Sequence, residues 1–188
     1  MKKRLVIGIS GASGIQLAIA ILKLLKQEND WESHLVCTEG ARRVLECETS
    51  MTYQELAALA DEVYNISDIG AAVASGTFRT EGMVVAPCSM KTLAGIAHSF
   101  SENLLMRAAD VTLKERRRLV LLTRETPLHL GHLRNMTAAA EIGAVIMPPV
   151  LTYYSGPGQI SDMEHHIACK VLNIFNIEPK GFRRWKGG

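Results

Sequence analysis

The sequence predicts a three-layer α/β domain built on a doubly wound, mostly parallel β-sheet. Three observations predict it. Short β-branched runs alternate with longer helical patterns along the chain, and glycine-rich or hydroxyl-rich turns follow the apolar runs. The apolar residues, 47% of 188, are overwhelmingly aliphatic, with only 5% aromatic, which is the core that a parallel sheet buried on both faces requires.

The elements follow in order. Arg4 to Ser10 (RLVIGIS) is a strand ending in glycines, and Ile15 to Lys26 (IQLAIAILKLLK) has the length and apolar density of a helix packed on a sheet. Ser33 to Cys37 is the second strand, followed by helices over Glu39 to Glu46 and Thr52 to Ala60. Gly82 to Ala86 (GMVVA) is a strand and Lys91 to His98 a helix. A helix over Glu102 to Glu115 precedes the strand Arg118 to Thr123 (RLVLLT). A helix over His129 to Ile142 leads to the short strand Ala144 to Met147. Three prolines and two glycines between Pro148 and Gln159 (PPVLTYYSGPGQ) exclude regular structure there and mark a functional or oligomer-facing loop. Ile160 to Phe175 returns to helical spacing. No repeat or linker interrupts the alternation, so residues 1–188 are expected to form one domain.

Composition narrows the function. Lys and Arg number 21 against 19 Asp and Glu, a net charge of +2, too even for a general nucleic-acid or membrane-surface binder, so any anion site must be local. Cys37, Cys47, Cys88 and Cys169 are far apart with no CxxC pair, which fits free thiols in a reducing compartment. The basic start Met1-Lys2-Lys3-Arg4 mimics a leader, but the apolar run after it stops at Gly8. A cytoplasmic protein is expected.

Ligands of open α/β sheets bind beyond the carboxyl ends of the strands. After the first strand, Gly8, Gly11 and Gly14 in GISGASG give a GxxGxxG spacing, matching neither the dinucleotide fingerprint nor a Walker A loop. The segment suits phosphate or flavin contact at a helix N-terminus, with a Ser13 hydroxyl to add, and equally a tight packing turn. Thr38 and Glu39 follow the second strand. Pro87-Cys88-Ser89-Met90-Lys91-Thr92 follows the third, with Ser89 suited to an N-cap; Cys88 suits a buried thiol better than a nucleophile. Arg107 and Lys114, seven apart, share a helix face, and Arg124-Glu125 at the end of RLVLLT pair an anion binder with a proton donor. His129 with His132 and His165 with His166 lack a third ligand at metal spacing, and no DxD occurs, so no metal is expected.

Several of these motifs together, GISGASG (8–14), APCSMKTLAGIA (86–97), RAADVTLKERRRLVLLTRETP (107–127), HLRNM (132–136) and GAVIMPP (143–149), resemble the UbiX-like flavin prenyltransferases over nearly the whole chain. The long RAADV…TRETP segment is highly specific. The nearest subgroup accompanies hydroxyarylic acid decarboxylases. The resemblance implies a Rossmann-like or flavodoxin-like subunit of a homododecamer that joins a dimethylallyl group to reduced FMN without a metal. It implies bonds to flavin N5 and then C6, and a UbiD-like decarboxylase that takes the prenylated FMN as its cofactor. By matching motif, Gly11, Ala12, Ser13, Thr38, Ser89, Met90, Thr92 and Arg124 would contact FMN. Arg107, Lys114, Arg124, Tyr154 and Lys170 would hold the dimethylallyl phosphate. Ser13 and Glu48 would handle protons near the reacting groups, and Glu125 would protonate the leaving phosphate. Lys170 stands where many relatives carry Arg, keeping the charge without the planar fork, and Trp185 in FRRW matches the family tail. Two alternatives are weighed: a non-catalytic FMN-binding accessory subunit, and a flavin-dependent cysteine decarboxylase. The second would require a catalytic His near the early helices, yet no His lies between His34 and His98.

Overall fold

A computed structural model describes residues 2–185 and 187. Six parallel strands form one sheet in the order β3-β2-β1-β4-β5-β6: β1 Lys3–Ile9, β2 Trp31–Cys37, β3 Glu62–Tyr64, β4 Gly82–Cys88, β5 Arg118–Thr123 and β6 Ala144–Ile146. The helices are α1 Ile15–Leu25, α2 Glu39–Glu48, α3 Tyr53–Ala57, α4 Met90–Ala97, α5 Leu104–Lys114, α6 Leu130–Glu141 and α7 Ile160–Ile174. The three-layer, doubly wound parallel architecture expected from the sequence is the one observed.

Strand periodicity divides the core. Leu5, Ile7 and Ile9 of β1 point into one apolar layer with α1 and α7, whereas Val6 points into the other, beneath α4, α5 and α6. Gly8 points to that second side, and a Cβ there would stand 2.9 Å from Met83 Cε and 3.2 Å from Leu105 Cγ, so the missing side chain is what lets α5 lie against β1. Helix α1 is buried along most of its length because the sheet covers one face and α7 another.

Two elements escaped the sequence reading. The edge strand β3 has only three residues, and a short 3₁₀ turn spans Ala72–Ala74 in a stretch without apolar period. Strand β4 also runs through Pro87 to Cys88, two residues beyond the expected end, with an irregular register against β5. The loop over 148–159 carries no helix or strand.

The order 3-2-1-4-5-6 places the reversal of winding between β1 and β4. Crossovers leave the sheet in opposite directions there, opening a crevice at the carboxyl edge.

Candidate functional site

The crevice is built on the paired ends of β1 and β4. The Ser10 amide and hydroxyl both donate to the Pro87 carbonyl (3.2 and 2.9 Å), and the Ser89 amide donates to Ser10 Oγ (2.8 Å). Gly11 then passes directly against Gly40. A Cβ on Gly11 would stand 3.0 Å from Gly40 Cα, backbone against backbone, so neither position has room for a side chain without displacement.

Three helices begin at this crevice, each capped by a side chain that lines it. Thr38 Oγ1 accepts the Ala41 amide at the start of α2 (3.2 Å), Ser89 Oγ accepts the Thr92 amide in α4 (3.3 Å), and Asn103 Oδ1 accepts the Met106 amide in α5 (3.1 Å). The Ser89 hydroxyl donates to Thr92 Oγ1 (3.1 Å), so the buried Thr92 keeps a proton to offer outward, as does Thr38. Gly11, Thr38, Ser89, Thr92, Asn103 and Met106 line about 490 Å³, within the roughly 300–1,000 Å³ of small-molecule sites. Lys91 and Glu102 form an ion pair at 3.2 Å on its rim. Convergent helix N-termini and hydroxyl donors are a site for an anion such as the phosphate of FMN. Ala12 lies beside Gly11 in the same loop, and Met90 opens α4 directly after Ser89.

A fourth N-terminus, that of α1, is already occupied. Glu48, the last residue of α2, accepts the Gly14 amide (2.9 Å) and the Ile15 amide (3.3 Å) through Oε2, with Gly14 in the left-handed conformation that glycine adopts freely. The glycine loop, which suited either phosphate or flavin contact or a tight packing turn, therefore receives the chain's own carboxylate at the start of α1. Desolvation pushes the Glu48 pKa up, but the Ser13 hydroxyl, the two amides and the charge of Arg124 outweigh it and hold the group below the usual glutamate value. Ser13, Glu48 and Arg124 are thus one electrostatic group.

Arg124 and Glu125 are the first residues past β5. The Arg124 amide donates to the Cys88 carbonyl (3.0 Å), which ties this strand end to the turn that carries Ser89. Glu125 Oε1 accepts the Thr126 amide (3.0 Å), and both side chains are exposed. Cys88 is buried and its thiol is pushed up to about 12 by that burial, which removes it as a nucleophile.

Tyr154 and Lys170 line a second cavity of about 380 Å³ between the segment after β6 and α7, with Met147, Thr152, His166 and Trp185. The Tyr154 ring sits between the rings of His166 (5.6 Å, nearly perpendicular) and Trp185 (5.4 Å).

Of the expected phosphate ligands on α5, one is held in an ion pair and the other stands far from these groups within one subunit. Arg107, in the first turns of α5, is paired with Asp110 at 2.8 Å. Lys114, the last residue of α5, is paired with Glu115 beside Gly76, at the end of the sheet where the strands begin. The six residues of β5 separate that end from Arg124 by about 20 Å at ~3.3 Å per residue. Arg107 and Lys114 do lie on one helix, as their spacing implies, but at opposite ends of it. Among the described residues no three His, Cys, Asp or Glu side chains come together as a metal would require.

Sequence reasoning missed Gly40, Asn103 and Met106, and weighed His166 only as a metal ligand. Asn103 carried a signal, a capping residue directly before the apolar run of α5, but Ser101 and Glu102 competed with it.

A model of the flavoprotein family matches residues 1–174. The flavin prenyltransferase UbiX of Escherichia coli (strain K12) is 53% identical over 187 residues, covering 98% of this chain and 99% of that protein. The crystal structure of AnUbiX (PadA1) in complex with FMN and dimethylallyl pyrophosphate superposes with a TM-score of 0.97 at 45% identity, covering both chains fully. That of a dodecameric FMN-dependent UbiX-like decarboxylase from Escherichia coli O157:H7 does so with a TM-score of 0.96 at 44% identity, covering 98% of this chain and 100% of that one.

Proposed function

Because this chain belongs to the flavoprotein family, in its UbiX branch of flavin prenyltransferases, we propose how its residues join a dimethylallyl group from dimethylallyl phosphate to reduced FMN. The observation that carries the assignment is the contiguity of two chemistries at the β1–β4 switch. Three helix N-termini and the hydroxyls of Thr38, Ser89 and Thr92 face the crevice, and the loop that lines it with Gly11 goes on to hold Glu48 with Ser13.

Gly11, Ala12, Thr38, Ser89, Met90 and Thr92 hold the FMN, its phosphate toward the helix N-termini and their hydroxyl donors. The reduced flavin supplies the nucleophilic atoms and an apolar π face. Arg124, whose charge acts on Glu48 and whose amide is bound to the Cys88 carbonyl, would hold the prenyl phosphate and the flavin by its cationic side chain. Tyr154 and Lys170 hold the phosphate from the side of α7. Ionising an allylic phosphate builds negative charge on the departing group, so fixed cations there lower the barrier directly. Glu125 protonates the phosphate as it leaves, and Ser13 with Glu48 removes the proton released at the flavin.

Lys114 enters this scheme from a neighbouring copy, and Arg107 takes part from the first turns of α5, where it is paired with Asp110. The ~20 Å of β5 between Lys114 and Arg124 keeps them apart within one subunit, and the exposed apolar side chains Leu130, Leu133, Val150, Tyr153 and Ile160 provide surface for a homo-oligomer. A dodecamer fits the relative described above. The product passes to a UbiD-like decarboxylase. Among the described residues no helix is long and apolar enough to cross a membrane. The free thiols of Cys37, Cys47, Cys88 and Cys169 support a reducing, cytoplasmic setting.

Anaerobic incubation of the protein with reduced FMN and dimethylallyl monophosphate or pyrophosphate, followed by mass analysis of the flavin, tests the function. A flavin heavier by one five-carbon unit is expected. Stoichiometric FMN returned unmodified with both donors would leave the accessory-subunit alternative instead.

A further inference from the structure

Tyr154 belongs to a segment without helix or strand, and about half of its surface is exposed. Left to itself, such a phenol would have to be ordered each time a ligand bound, and that lost freedom would weaken capture. One rigid partner prevents this. His166 is fixed within α7, only 7% exposed, and its Nε2 lies 3.3 Å from the Tyr154 hydroxyl. Its ring meets Tyr154 edge to face and packs against Phe182 at 5.3 Å. Lys170 follows it by four residues, on the same face of the helix, and both line the second cavity.

We propose that His166 is a positioning residue for prenyl-phosphate capture: it fixes the Tyr154 hydroxyl so that the phenol and the Lys170 ammonium meet one phosphate from set positions. The inference rests on the assignment of Tyr154 and Lys170 as phosphate ligands. Burial drives the His166 pKa down, and His165 and Lys170 drive it further, so the imidazole stays neutral and does not compete as another cation. A neutral ring with its proton on Nε2 donates to the phenolic oxygen and leaves the proton of Tyr154 for a phosphate oxygen. In this role His166 acts through Tyr154, not on the donor or the flavin.

The test compares His166→Phe, His166→Gln, Tyr154→Phe and the double variant His166→Phe/Tyr154→Phe as full chains, with dimethylallyl monophosphate varied at saturating reduced FMN. His166→Phe is expected to raise KM for the donor about fivefold to tenfold with kcat within twofold, an effect of ~1 kcal/mol on one hydrogen bond. His166→Gln, which keeps a hydrogen-bonding group on the helix, restores KM, and in the Tyr154→Phe background His166→Phe adds nothing. FMN binding, measured by flavin fluorescence, reports folding and stays unchanged because its crevice is elsewhere. Equal KM values for His166→Phe and the parent would overturn the proposal, as would an equal loss in His166→Gln or additive losses in the double variant. Should Tyr154→Phe alone leave KM unchanged, the phosphate-ligand assignment falls and the proposal with it. If Tyr154→Phe raises KM and His166→Phe does not, only the proposal falls.

Discussion

The Glu48 carboxylate does two jobs with one set of contacts. It terminates α1 electrically, as an anion over the Gly14 and Ile15 amides, and in the proposed scheme it takes a proton together with Ser13, under the charge of Arg124. Glu48→Gln is expected to slow prenyl transfer by about 10²-fold or more, the usual worth of a positioned general base, while FMN affinity is kept. It should also cost ~0.3–1 kcal/mol of stability, the typical worth of an anion at a helix N-terminus, measured by urea unfolding. The pH sign follows from the lowered pKa. Glu48 contributes fully above the ordinary glutamate pKa, and the contribution is lost as pH falls through its depressed folded value. The stability gap between parent and variant therefore closes on acidification below about pH 4. Arg124 and Glu125 were legible from their place after an apolar strand. Glu48 was reached only through family resemblance, because it sits 34 residues from the Gly14 amide it caps and at a helix end where acids are common.

At the scale of the elements, the crevice depends on where helices start and how closely two loops approach. Gly11→Ala would push a methyl against the Gly40 backbone, costing about 1–3 kcal/mol and lowering Tm by several degrees; thermal unfolding with and without FMN measures it. Ser89→Ala removes the α4 cap and one link of the Ser89–Thr92 hydroxyl chain. It should lose ~1 kcal/mol of stability and weaken FMN binding by about tenfold, as calorimetry would show. The alternation of β-branched and helical runs made most elements readable, since period and length both separate strands from helices. Strand β3 was invisible because an edge strand of three residues, with Val63 as its one aliphatic side chain, leaves no period to read. The role of His166 was equally hidden: beside His165 it was weighed only as a metal ligand, and its partner Tyr154 comes from a loop whose path no local rule sets.

For the whole molecule, the decisive separation is the length of β5 between Lys114 and Arg124. If one subunit's Lys114 serves another's Arg124, then Lys114→Ala and Arg124→Ala, each reduced by about 10²-fold alone, will complement when assembled together. Random association leaves about one site in four with both residues intact, a recovery easily seen in the prenyl-transfer assay; independent sites would show none. Nothing in the chain's composition pointed to this distance, since Arg107 and Lys114 share a helix face whether or not they share a site. At the other end of the sheet, the crevice is rimmed by Lys91 and Glu102, the first mostly and the second about half exposed to water. A solvent-exposed pair of this kind is worth only about 0–1 kcal/mol and weakens with salt. For an ordinary flavoenzyme, which keeps its flavin for life, that would be a poor latch. For a protein whose flavin is a substrate and leaves as product, it is a door that opens at little cost, and the rate of release is left to depend on the helix ends beneath it.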